Sequence, residues 1–401
     1  MSFSPPDRPM RVLHVTPAFA PSVAYGGAVT VIYDLCSSLA SAGVTVNVLT
    51  TNGNGDDKVL DVDCDREVPL APGLRARYCR RICRQAVSPE FMRYLPSAVR
   101  WADVVHLHGV YSFPTLPTLA VCRLFGKPVL WTPHGVLQRW AGSRRKMAKA
   151  GWELVCRALL PRAAVLHASS EQEAQDNRVR FPGSDIVTIP FGHHVPDQSR
   201  RIEDGTMLRL LFLGRLDPKK GLENLIEACR IRKSRPTGAW SLVIAGDGEA
   251  RYATSLRALI ESKGLSERVT VVGDVQGERK DELFSRSDVL VVPSHTENFA
   301  RVVVEALGHG IPVIASRGTP WQRIEDVGCG LWVDNSPDSL AAAIERISRL
   351  PLRQMGQLGR TWLLREFQWE KVAQAFIVNY ERTMSDWRSA RLPLASVSHL
   401  P

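Results

Sequence analysis

No stretch of this 401-residue sequence is long and apolar enough to span a bilayer, and its start, Met1-Ser2-Phe3-Ser4-Pro5-Pro6-Asp7-Arg8, lacks the apolar core of an export signal. A cytoplasmic location is expected. The eight cysteines (36, 64, 79, 83, 122, 156, 229 and 329) lack the paired spacing of a disulfide frame, and Cys79-x3-Cys83 has no second close pair to complete a zinc site. His106-x-His108 puts two ligands on one strand face with no obvious third in the sequence, so no metal is expected. Gly246-Asp247-Gly248 lacks the last glycine of a dinucleotide fingerprint, and there is no Walker A loop. Hydride transfer and ATP hydrolysis are therefore not indicated, and no repeat or low-complexity tract is present.

What is present is an α/β rhythm. A hydrophobic content of 44% and a charged content of 23% describe a globular protein, and the length suits two domains. Short β-branched runs at 11–16, 44–49, 103–107, 128–131, 164–167 and 186–189 alternate with helical patterns, the mark of parallel βαβ units. The rhythm lapses in a polar linker around 192–205 and restarts at 208–213, 241–245, 269–272, 289–292 and 312–315. Segments 340–349 and 369–387 read as helices, and the tail after Leu392 as loose. Two doubly wound domains follow, at 1–195 and 206–368.

The net charge of +10 is unevenly spread. Arg75, Arg77, Arg80, Arg81, Arg84, Arg93 and Arg100 face one local acid, Glu90. A second group, Arg139, Arg144, Arg145, Lys146, Lys149 and Arg157, is set among Leu137, Trp140, Met147, Trp152, Leu154 and Val155 and reads as a basic amphipathic helix. Such a helix suits a solvated face over a core, an anionic membrane surface or an acidic substrate. No zinc finger or RNA-binding motif accompanies the charge, so nucleic acid is not an expected partner.

The most informative segment is Ser294-His295-Thr296-Glu297-Asn298-Phe299-Ala300-Arg301-Val302-Val303-Val304-Glu305-Ala306, directly after the apolar run Val289-Leu290-Val291-Val292-Pro293. A buried strand, a polar loop and a helix start can hold an anion on backbone N–H groups, with the two carboxylates meeting hydroxyls on either side of it. Both could equally be helix-start acids that favour the helix dipole. In Leu213-Gly214-Arg215-Leu216-Asp217-Pro218-Lys219-Lys220-Gly221, Arg215 and Lys220 follow a strand and could stabilise charge on a leaving diphosphate; a salt-bridged helix start is the alternative. Gly26-Gly27 after the first strand would admit a phosphate or form a plain turn. Trp131-Thr132-Pro133-His134-Gly135 ends a strand, with His134 either structural or site-facing.

Together these motifs resemble the retaining glycosyltransferases of family 4, from about Arg11 to Arg382 and most strongly between Leu213 and Ala315. The resemblance implies a GT-B fold, two Rossmann-like domains facing across a cleft, with the nucleotide sugar on 206–368, the acceptor on 1–195 and the helix at 369–388 packing back on the first domain. It implies a metal-independent reaction without a cofactor, drawing on a UDP-sugar or GDP-sugar. By the family pattern Arg215 and Lys220 bind the diphosphate, as do Gly26 and Gly27. Glu305 holds the ribose, Glu297 the donor sugar, and Asn298, Phe299 and Ala300 offer backbone donors; Val275 meets the base. His134 supports the sugar near the reacting carbon and is not a nucleophile, and His108 lines the acceptor side.

Two positions depart from the pattern: Ala300 stands where glycine is usual, and Phe191 where asparagine is. The phrases Gly318-Thr319-Pro320-Trp321, Cys329-Gly330-Leu331-Trp332-Val333 and Ser169-Ser170-Glu171-Gln172-Glu173-Ala174 resemble bacterial relatives that build surface polysaccharides such as lipopolysaccharide, capsule or exopolysaccharide. They imply a lipid-linked or oligosaccharide acceptor and peripheral contact with an anionic membrane at its cytoplasmic face. An epimerase or phosphorylase on the same architecture, or a silent nucleotide-sugar-binding protein, remains the alternative; no motif singles out a lysine for pyridoxal phosphate.

Overall fold

A computed structural model describes residues 8–22, 24, 26–55, 57–138, 145–195, 207–234 and 238–391. Tyr25, Arg139, Trp140, Arg144, most of the polar linker and the tail after 391 lie outside them. The chain folds as two compact units, 1–192 with 369–401, and 193–368.

In the first unit the elements run β1 (Arg11–Val15), α1 (Gly27–Ser41), β2 (Thr45–Thr51), β3 (Val68–Ala71), β4 (Leu74–Cys79), α2 (Pro89–Trp101), β5 (Val104–His108), α3 (Thr115–Phe125), β6 (Val129–Thr132), α4 (Lys146–Leu159), β7 (Ala164–Ala168), α5 (Glu171–Arg180) and β8 (Asp185–Thr188). Its eight strands are ordered β3-β4-β2-β1-β5-β6-β7-β8, all parallel except the β3–β4 pair. The β5 strand is buried throughout, because helices cover both faces of a parallel sheet, and its sequence brings His106 and His108 into the interior.

The second unit runs β9 (Met207–Leu213), α6 (Leu222–Lys233), β10 (Ala239–Ala245), α7 (Ala250–Ser262), β11 (Val269–Val272), α8 (Glu278–Ser285), β12 (Val289–Val292), α9 (Arg301–Gly308), β13 (Val313–Ser316), α10 (Arg323–Val327), β14 (Gly330–Val333), α11 (Pro337–Ile347) and α12 (Leu352–Glu366). The parallel order β11-β10-β9-β12-β13-β14 reverses between β9 and β12, the switch point where α/β sheets bind ligands beyond the strands' carboxyl ends. The last helix, α13 (Trp369–Arg391), belongs to the first unit. It packs on α1, β5 and β6 through buried Trp369, Val372, Phe376 and Tyr380.

The arginine-rich stretch is structured otherwise than its composition suggests. Leu74-Arg-Ala-Arg-Tyr-Cys is β4, with the apolar positions buried and Arg75 exposed. Arg80 pairs with Glu90 and with Asp65 at 2.6 Å, and Arg84 with Asp57 at 3.0 Å, so acids from another segment offset a cluster that looks uncompensated in sequence. All eight cysteines are free thiols, seven of them buried. Among the described residues no helix is long and apolar enough to cross a membrane.

Candidate active site

Lys220 is positioned by a short local code. Asp217 accepts a bond from the Lys219 backbone N–H at 2.9 Å, Pro218 opens a single 3-10 turn, and Gly221 ends it at φ 66°. A Cβ on Gly221 would lie 2.2 Å from the Pro293 carbonyl oxygen, so only glycine lets this turn press against the end of β12. The His295 N–H also donates to the Lys219 carbonyl at 2.9 Å. That contact delivers Lys220 to Glu297: Nζ lies 2.5 Å from Oε1, which also accepts from Ser294 Oγ at 2.7 Å. Glu297 is 8% exposed and its N–H donates to the Gly318 carbonyl at 2.8 Å. Arg215, by contrast, is exposed at the rim of a hollow shared with Asp217, Glu249, Arg251 and Tyr252, and pairs with no described residue.

Glu305 lies on α9 and is likewise 8% exposed. Lys280 of α8 reaches its Oε1 at 2.8 Å, with Arg301 Nε at 3.6 Å. Lys280 escaped the sequence reading because it lies on another helix, with no motif around it. Val275 is half-buried in the loop between β11 and α8.

Asn298, Phe299 and Ala300 form the entry to α9. The Phe299 ring is a core group, 5.3 Å from Trp321, whose indole N–H donates to the Phe299 carbonyl at 2.5 Å. Gly318-Thr319-Pro320-Trp321 is therefore a brace for this loop, and the Phe299 side chain is spent in the core. Ala300 caps α9 at φ 55°, ψ 65°, a left-handed conformation that strains a residue with a Cβ. Ala300→Gly should relieve it and raise stability by about 0.5–1 kcal/mol, seen as a higher urea midpoint for this unit; a lower midpoint would show that the strain is absent.

In the first unit Gly26 caps α1 at φ 62° and Gly27 begins it, both exposed. His134 follows β6 at φ 56°, half-buried, stacked on Phe191 with ring centroids 5.6 Å apart. Phe191 thus covers the ring from the place where the family pattern has asparagine. The adjacent Gly135 N–H donates to Glu173 Oε1 at 2.6 Å, while Glu173 Oε2 accepts from the Ser169 N–H and hydroxyl, each at 2.7 Å. Ser170 Oγ in turn accepts from the Glu173 N–H, so Ser170-x-x-Glu173 is a variant capping box that reaches sideways to the His134 loop. That pattern was the available signal for a residue not singled out in sequence. Glu173→Ala should cost about 2–4 kcal/mol, because it strands two buried or half-buried N–H donors and a hydroxyl. Urea unfolding checks this, and an unchanged midpoint would contradict the clamp.

His134, in the loop after β6, completes a cluster of five histidines with His14 from β1, His106 and His108 from β5 and His167 from β7. His14 Nδ1 is 2.9 Å from His108 Nε2, and His108 Nδ1 is 3.0 Å from His134 Nε2. His106 bonds to Tyr380 Oη at 2.6 Å and to Thr132 Oγ1 at 2.7 Å; Thr132 bonds on to His167 Nδ1 at 2.9 Å, and His167 Nε2 to the Ile189 carbonyl at 2.8 Å. Burial holds His14 at about 3; burial and then His167 hold His134 at about 3. Burial first, then the neighbouring rings, keeps His106 and His108 well below the usual histidine value, and burial leaves His167 at about 4.

The expectation that His108 lines an acceptor surface gives way here: it is 2% exposed and both its nitrogens are bonded inward, so it supports His134 instead. His14 is the third ring that spacing could not reveal, and with His106 and His108 it gathers nitrogens within 4.8 Å of one another. Both nitrogens of His106 and both of His108 are already spent on hydrogen bonds, which suits a bonded network better than a metal set.

Comparison with known proteins agrees with this architecture. The family described as "Glycosyltransferase Family 4" matches residues 25–194, and that described as "Glycosyl transferases group 1" matches 197–362. A D-inositol 3-phosphate glycosyltransferase of Paenarthrobacter aurescens is 25% identical over 93% of this chain and 97% of its own. The GDP-mannose:cellobiosyl-diphosphopolyprenol alpha-mannosyltransferase of Xanthomonas campestris is 25% identical over 95% and 99%. The GDP-mannose-dependent alpha-(1-6)-phosphatidylinositol monomannoside mannosyltransferase of Mycobacterium tuberculosis is 30% identical over 59% and 69%. Among solved structures, a sucrose-phosphate synthase from Thermosynechococcus elongatus superposes with a TM-score of 0.73 at 23% identity, over 94% of this chain and all of that one. With two α/β sheets of the GT-B fold and both family descriptions matched along its length, the chain belongs to glycosyltransferase family 4, enzymes that draw on nucleotide-sugar donors.

Proposed function

We propose that this glycosyltransferase is retaining and metal-independent, and moves a hexosyl group from a UDP-sugar or GDP-sugar to a lipid-linked or saccharide acceptor in cell-surface polysaccharide synthesis. The observation that carries it is the Lys220–Glu297–Ser294 arrangement at the β9/β12 switch point, where a cation and a sugar-binding carboxylate are held ready in one place. Lys220 and exposed Arg215 take the diphosphate and stabilise its charge as the glycosidic bond breaks, the task a divalent cation performs elsewhere. Glu305, steadied by Lys280, takes the ribose hydroxyls. Val275 flanks the base, and the backbone of 298–300 and of Gly26-Gly27 meets sugar and phosphate. His134 supports the donor sugar, and residues 1–195 take the acceptor. The acceptor hydroxyl attacks the anomeric carbon on the leaving-group face, and the departing phosphate oxygen receives its proton.

The polyprenol and phosphatidylinositol acceptors named for two relatives favour a lipid-linked acceptor here. So does α4, where Met147 (89% exposed) and Leu154 (62%) stand beside Lys146 and Arg157, a composition suited to the anionic inner face of the cytoplasmic membrane. Incubation with a panel of UDP-, GDP- and ADP-sugars in EDTA should show slow hydrolysis of one donor with its anomeric configuration retained. An absolute metal requirement, or inversion, would overturn the reading. Co-sedimentation with vesicles containing anionic lipid, lost in Met147→Asp, tests the membrane clause.

A further inference from the structure

The five clustered histidines form two hydrogen-bonded rows, and the protons of the first row are fully determined. The Ile189 carbonyl can only accept, so His167 Nε2 donates to it. In the neutral ring Nδ1 must then accept, and Thr132 Oγ1 supplies that proton. Thr132 accepts from His106 Nε2–H, and His106 Nδ1 accepts from the Tyr380 hydroxyl.

The second row, His14–His108–His134, has two bonds and three neutral rings, so its protons all point one way or the other. Its ends decide. His14 Nε2 is buried without a partner, and His134 Nδ1, on a half-buried ring, bonds to no described residue. Pointing the protons inward strands an N–H at His14; pointing them outward leaves only a bare lone pair there. Orphaned buried N–H groups are the rarer defect, so the outward direction is favoured. Nor can the row reverse by itself, because reversal needs a proton delivered to His14 Nε2, which has no hydrogen-bond partner to supply one.

We infer that His14 and His108 are positioning residues that lock His134 as its Nδ1–H tautomer, so that the ring meets the substrate as a neutral hydrogen-bond donor and never as a base. The inference rests on the reading that His134 faces the donor sugar. His14 and His108 touch no substrate and act through that ring. The first row, stacked against the second with His106 and His108 centroids 4.1 Å apart, keeps the lock in place.

The test is the tautomeric state of each ring in full-length protein labelled with 15N in its histidines, read from long-range proton–nitrogen spectra at neutral pH and assigned with single substitutions. His14, His108 and His134 should be Nδ1–H, and His106 and His167 Nε2–H; a His134 that is Nε2–H or charged overturns the inference. His14→Phe keeps a ring in the stack but removes its donor. His134 should then become a mixture of tautomers, and donor turnover should fall about tenfold with little change in KM. If His134 stays purely Nδ1–H in that variant, His14 is only structural and the inference falls. Should the variant fail to fold, the spectrum of the unaltered protein still decides. Addition of the hydrolysed donor separates this inference from the functional reading: a His134 signal that does not move sinks the sugar contact, while the tautomer assignment is read without any ligand.

Discussion

Lys220→Ala should lose UDP and GDP binding in calorimetric titrations run in EDTA, and its turnover should fall by about a thousandfold. Two separate losses combine. The leaving diphosphate loses a fixed cation, and Glu297, 8% exposed, loses the ammonium 2.5 Å from its carboxylate. A buried pair broken on one side costs about 3–5 kcal/mol; Lys220 keeps 23% of its side chain exposed, so about 2–3 kcal/mol is expected from the second unit's stability. Lys220→Ala with Glu297→Gln should restore much of that stability without restoring binding, since the stranded charge is gone and the cation is still missing. Nucleotide binding by Lys220→Ala at the affinity of the unaltered protein would end the diphosphate assignment.

The histidine cluster should make the first unit acid-labile. A ring with a folded pKa of about 3 and an unfolded value near 6.5 binds more protons unfolded than folded throughout that window. Stability is therefore complete above about pH 6.5, rises with pH across the window and is lost as pH falls toward 3. From pH 7 to 5 each such ring withdraws about 2 kcal/mol. His14 and His134 together then withdraw about 4 kcal/mol, and His106, His108 and His167, which burial also holds below the usual histidine value, act in the same direction, against the roughly 5–15 kcal/mol that holds a typical domain folded. Circular dichroism against pH should show cooperative unfolding between about pH 6 and 4.5. Constant stability down to pH 4.5 would mean that the rings accept protons without disrupting the fold.

Most of the sheet was legible, for a physical reason. Central parallel strands are covered on both faces, so β12 is an unbroken apolar run, β13 is apolar up to Ser316 and β9 is interrupted only by Arg209, and their bounds can be read closely. The strands that escaped are β3, β4 and β14. In β4 arginines occupy the outward positions and hide a period of two inside an apparent charge cluster. Helix α12 was missed because glycines interrupt it, and Gly356 has a tertiary cause: a Cβ there would sit 1.8 Å from the Gly310 carbonyl.

The candidate site divides in the same way. Lys220 and Glu297 are legible because each sits in a local motif of caps, turns and spacing. Their supports are not. Lys280 reaches Glu305 from another helix, Tyr380 meets His106 across 274 positions, and His14 joins His108 across 94. Local pattern states which groups face a ligand; only the folded chain states what holds them there.

The return of α13 to the first unit sets an order of assembly during translation. Residues 193–368 form one contiguous segment and can mature as they leave the ribosome, whereas the first 192 residues must wait, partly formed, until Phe376 and Tyr380 emerge to close the sheet beside His106. The unit synthesised first is finished last, so a stalled or prematurely terminated message would release it with that interior still open.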